Sequence, residues 1–124
     1  MNIKESITKA LLENKVNKND KVFVTTDTNA LIGINLFDVM LFVLSNFALY
    51  QSMNSNQIYN FVMQNFKDIF EEFNTQIQMA LFYISIDINN KEPEEIELND
   101  ETEALFQIYL QSKVFYEFEK YIKM

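Results

Sequence analysis

Apolar residues recur along this chain at helical spacing. Ile3, Ile7, Ala10 and Leu11 fall at i, i+4, i+7 and i+8, which predicts a short amphipathic helix over residues 3–15. The next run, Lys21-Val22-Phe23-Val24-Thr25-Thr26, is β-branched and aromatic, flanked by Asn and Asp, and too short for a helix. It predicts one strand over 21–26. From Leu36 to Tyr50 nearly every position is apolar, with Asp38, Ser45 and Asn46 the only interruptions, so the expectation is a helix hydrophobic on almost all sides. Such a helix must be surrounded. Either the rest of the chain covers it in a monomer, or a homodimer forms through helix 36–50.

Further on, Ile58, Phe61, Val62, Phe66, Ile69, Phe70 and Phe73 keep the 3.6-residue period, with Asn60, Gln64, Lys67, Asp68, Glu71 and Glu72 on the other side. Residues 75–88 carry two patterns. Ile77, Ala80, Leu81 and Ile84 suit a helix, whereas Ile84, Ile86 and Ile88 alternating with Ser85 and Asp87 suit a strand. The reading adopted is a helix running into a short strand at 83–88 that pairs with 21–26. The last element, 101–122, places Leu105, Ile108, Phe115, Phe118 and Ile122 on one stripe and ends in Lys120 and Lys123, as the helix dipole prefers.

Helix starts carry a second signature. A small polar residue followed three positions later by an acid or amide can satisfy the free amides of a first turn. The pairs Asn2/Glu5, Asn35/Asp38, Asn54/Gln57, Thr75/Gln78 and Asp100/Glu103 all fit, each at a proposed start. The expected fold is therefore a mainly α single domain over 1–124. Four to five helices gather around the apolar helix 36–50, with a minor two-strand element, 21–26 with 83–88.

Composition narrows the chemistry. The 124 residues include no His, no Cys and no Trp, one Gly and one Pro, and all ten basic residues are Lys. Without His or Cys there is no Ser-His-Asp or Cys-His nucleophile and no site for structural zinc. Without Arg there is no bidentate fork for phosphate or a guanine edge. The lone Gly33 cannot build a phosphate loop or a dinucleotide fingerprint, which need several glycines at fixed spacing. No cofactor or metal is expected, and the chain is read as non-enzymatic. A chain of this length buries about two thirds of its unfolded surface and needs no disulfide to fold.

The segment 30–50 has the hydropathy of a membrane span, but a helix starting at the Asn35 cap would be only about 22 Å long against a hydrocarbon core of about 30 Å. Asp38 would also lie inside it. A core or interface helix is the better account, and Asp38 then belongs to the first turn, where it favours the dipole. The N-terminal residues carry charges every few positions and lack the apolar stretch of a secretory signal, so a cytoplasmic protein without membrane attachment is expected.

Charge is distributed unevenly. Residues 1–62 hold five Lys and five acids, net zero, while 63–124 hold five Lys and thirteen acids, which accounts for the whole net charge of −8. Seven of those acids, Glu92, Glu94, Glu95, Glu97, Asp100, Glu101 and Glu103, fall in one run without a base. The run lacks the alternating ligands and central Gly of a calcium loop. The carboxylate groups Asp68/Glu71/Glu72 and Glu117/Glu119 have the spacing of an exposed helix face. Twelve Phe and six Tyr could stack on bases, but they are interleaved with acids that repel a phosphate backbone. Direct nucleic-acid binding is therefore not expected.

The expected partner is another protein with a basic surface. The candidate contacts are the seven acids with Tyr109 and Tyr116, since Tyr is favoured at interfaces. The function anticipated is inhibition of a nucleic-acid-processing or host-defence enzyme, as small phage or mobile-element anti-defence proteins and DNA mimics do. A toxin-neutralising immunity protein would carry the same features. A helical dimeric chaperone or assembly adaptor, with helix 36–50 as its seam, is the rival of a different class.

Overall fold

Asn2, Asn35 and Asn54 each stand immediately before a helix and each turn a side-chain oxygen onto an amide of its first turn. Asn2 Oδ1 accepts from the Glu5 amide at 2.8 Å, Asn35 Oδ1 from the Asp38 amide at 2.9 Å, and Asn54 Oδ1 from the Gln57 amide at 2.9 Å. At Asn54 the exchange is reciprocal, because its own amide donates to Gln57 Oε1 at 2.8 Å. The computed structural model describes residues 2–25, 31–87 and 100–122, with side chains for 2–21, 34–80 and 106–122. Among them are α1 (Ile3–Glu13), β1 (Lys21–Thr25), β2 (Leu31–Asn35), α2 (Leu36–Tyr50), α3 (Ser55–Asp87) and α4 (Asp100–Ile122). The fold is mainly α, as the periodicity predicts.

Two helices end in the same way. Lys15, at φ 64°, lets the Val16 amide reach back to Leu11 O at 3.0 Å and its own amide to Leu12 O at 2.9 Å. Ser52, at φ 55°, does the same after α2, with Met53 N to Ala48 O at 2.8 Å and Ser52 N to Leu49 O at 3.2 Å. These paired bonds satisfy the last free carbonyls and turn the chain sharply. They end α1 at Glu13, two residues before the expected bound at 15.

The strand element is corrected. β1 forms at 21–25, but its neighbour is β2, not residues 83–88. Five residues separate β1 from β2, too few for a parallel crossover, so the pair is antiparallel. A pairing this local costs little loop-closure entropy. Residues 83–87 instead continue α3, because each residue added to an existing helix gains a hydrogen bond without a new nucleus. Residue 88 lies outside the described residues.

For the same reason Thr75 is not a helix start: it is exposed in the interior of α3. The one departure in that helix comes earlier, at Asn65 (φ −118°, ψ 17°), whose Nδ2 donates to Phe61 O at 3.0 Å. An Asn side chain that bonds the preceding turn competes with the backbone ladder and bends the helix.

Contacts divide the described residues into two units, one from 1–22 and 34–71, the other from 23–33 and 72–124. In the first, α1 packs on α2, and Phe47 of α2 meets Phe61 of α3 with ring centroids 5.4 Å apart. Its core includes Ile7, Leu11, Met40, Leu44, Ile58 and Ile69, all fully buried. Asn14 Nδ2 reaches Met63 Sδ at 3.2 Å, Glu13 accepts from the Tyr59 hydroxyl, and Asn2, Ile3 and Lys4 border one shallow cleft with Ser55. α1 therefore runs alongside the first turns of α3 in the same direction. It is antiparallel to α2, since only four residues turn α2 into α3.

In the second unit Phe73 of α3 and Phe118 of α4 pack at 5.7 Å, both fully buried. The inward stripe of α4 is Phe106, Leu110, Val114 and Phe118. This corrects the stripe read from the sequence: of its members with described side chains only Phe118 is buried, Ile108 and Ile122 are exposed, and Phe115 is half-buried, while the side chain of Leu105 lies outside the described ones. Both sets are apolar at helical spacing, so the period alone could not choose between them.

Candidate protein-binding surfaces

Five of the nine predicted contact residues, Asp100, Glu101, Glu103, Tyr109 and Tyr116, lie in α4, and side chains are described for Tyr109 and Tyr116. Glu92, Glu94, Glu95 and Glu97 lie outside the described residues. Asp100, Glu101 and Glu103 belong to the first turn of α4 by their backbone, and their side chains lie outside the described ones. Tyr109 is half-buried, whereas Tyr116 is 65% exposed. Sequence reasoning missed Ile108, which it assigned to the core and which is 63% exposed. The clue was the competing i+4 series 106, 110, 114 and 118, which turns Ile108 outward once it is buried.

Ile108 and Tyr116 are eight residues apart, about 12 Å along the helix, with exposed Ser112 between them. The one basic residue in the last turn is Lys120. Its Nζ donates to both Glu117 carboxylate oxygens at 3.0 and 3.1 Å and sits 5.0 Å from the Tyr116 ring centroid. The hydrogen bond to Glu117 raises the Lys120 pKa above its ordinary value, opposed by desolvation and helped by the charges of Glu117, Tyr116 and Glu72. The lysine is thus held by acids of its own unit. The described face of α4 exposes two large apolar side chains, Ile108 and Tyr116, with Lys113, Glu117, Glu119 and Lys120 as the charged residues of the same stretch.

A second surface lies on α2, which is not covered on all sides as its sequence suggests it should be. Leu36, Phe37, Met40, Val43, Leu44, Phe47 and Ala48 are buried, but Phe42 is 44% and Leu49 68% exposed. They line a groove of about 370 Å³ together with Lys4 of α1 and with Asp38, Leu41 and Ser45. Asp38 is exposed in the first turn, and its amide donates to the capping Asn35 side chain.

Among the described residues no three acids gather closely enough to hold a metal ion, and no helix is long and apolar enough to cross a membrane. No protein-family model, no curated protein and no solved structure matches this chain.

Proposed function

We propose that this chain is a small acidic, non-enzymatic protein that binds another protein through a basic surface and blocks it. The target class is a nucleic-acid-processing or host-defence enzyme of the cytoplasm, in the manner of phage or mobile-element anti-defence proteins. The observation that carries the reading is the exposure of Ile108 and Tyr116 on α4, in the half of the chain that holds all the surplus negative charge. Acids steer a basic partner and compete with its anionic ligand, while apolar anchors hold it after encounter. The acids Glu92, Glu94, Glu95, Glu97, Asp100, Glu101 and Glu103 supply the first property, and Ile108 and Tyr116, bordered by Tyr109, the second.

The test is retention of proteins from a host lysate on the immobilised full chain as salt rises, with the bound protein identified and its activity then assayed against added free chain. A basic protein should be retained at low salt, released as screening increases, and inhibited by the free chain. The triple variant Glu94→Lys, Glu95→Lys, Glu97→Lys should retain markedly less of it. Equal retention by wild type and variant at every salt concentration would sink the proposal and leave the acidic run as a solvated segment.

A further inference from the structure

The groove on α2 has the features of a surface complementary to itself. Asp38, Phe42, Ser45 and Leu49 are spaced 4, 3 and 4 residues apart, the repeat of a helix seam that meets a second helix. All four line the groove. Ser45, in the middle, is small and donates its hydroxyl to Leu41 O at 2.6 Å, so its polar group is already satisfied if the seam becomes buried.

The two charges stand at opposite ends. Asp38 is in the first turn of α2. Lys4 is at the other end, because α1 is antiparallel to α2 and its first turn borders Ser55, just beyond the end of α2. Neither has an ion-pair partner among the described residues. A two-fold axis through the middle of the seam therefore brings each Lys4 to the Asp38 of the other chain and sets the two Phe42 rings side by side. A partner of uniform charge would satisfy only one end, whereas a second copy satisfies both. Isologous contacts of this kind are the commonest route to dimers.

We propose that a second copy of this chain occupies the groove, with α2 packed antiparallel on α2 and two crossed Lys4–Asp38 pairs closing its ends. The inference uses α1 and α2 only and does not rest on the α4 surface.

Sedimentation equilibrium of the full chain tests it, with helix content of every variant checked by circular dichroism. Wild type should sediment at twice the 14.7 kDa chain mass, and Phe42→Asp should raise the dimer dissociation constant about 100-fold. Lys4→Glu and Asp38→Lys, each alone, place like charges at both ends and should raise it about tenfold or more. An equimolar mixture of these two variants should restore near wild-type association, because in the mixed dimer both ends carry opposite charges. If Asp38→Lys unfolds, Lys4→Glu alone must still weaken the dimer about tenfold.

A single 14.7 kDa species in wild type up to about 200 μM overturns the proposal. So does a Phe42→Asp variant that dimerises as wild type, which would put the seam elsewhere. A mixture of folded charge variants no tighter than either alone overturns the crossed pairing.

Discussion

Lys15 and Ser52 hold the left-handed conformation that ends α1 and α2, at φ 64° and 55°. A Cβ makes that region unfavourable, which is why Gly usually fills it. This chain has one Gly, and it lies in β2. Both side chains are exposed, so Lys15→Gly and Ser52→Gly should each stabilise the protein by about 0.5 to 1 kcal/mol, read as a higher urea midpoint with an unchanged slope. At Tyr59 the expected effect is on titration. Its hydroxyl donates to Glu13, and that bond, followed by desolvation and the Glu13 charge, raises the phenol above its ordinary 10.0. A raised folded pKa means that the contact supports the fold fully below the ordinary value and is lost as pH rises through the raised one. In an absorbance titration, Glu13→Gln should bring Tyr59 back toward 10.0 and remove that alkaline loss.

At the scale of elements, capping was legible because it depends on residues three apart. Asn2, Asn35 and Asn54 all cap as their spacing implies, and α2 runs from Leu36 to Tyr50 as its apolar run does. Thr75/Gln78 has the same spacing yet sits inside α3. A local motif permits a start, but a helix already under way continues past it when no Pro or turn interrupts it. The stripe of α4 shows a different limit. Leu110 is fully buried and Ile108 exposed, although two positions apart on the same helix. Leu110→Ala should therefore cost about 2 to 5 kcal/mol, whereas Ile108→Ala should stay within about 0.5 kcal/mol. Thermal unfolding of the two variants would expose a wrong assignment of the buried face if their order were reversed.

For the molecule as a whole, the net charge of −8 and its confinement to residues 63–124 are sequence properties that govern encounter in the proposed complex. In the proposed complex the exposed Ile108 and Tyr116 of α4 govern persistence. With a captured partner, Glu94→Lys, Glu95→Lys, Glu97→Lys should slow association about tenfold at low salt and leave dissociation nearly unchanged. Ile108→Asp with Tyr116→Ala should do the opposite, speeding dissociation about tenfold or more. Stopped-flow binding at two salt concentrations separates the two effects. The sequence by itself determined the helical class, three helix caps, the bounds of α2, the missing His, Cys and Arg chemistry and the placement of charge, because each depends on composition or on residues within one turn. Only the tertiary structure decided that β1 pairs with β2, that Phe106 and Leu110 rather than Ile108 turn inward, and that Phe42 and Leu49 stay uncovered. A helix apolar on several sides can bury any of them, and the choice belongs to the neighbours that pack against it.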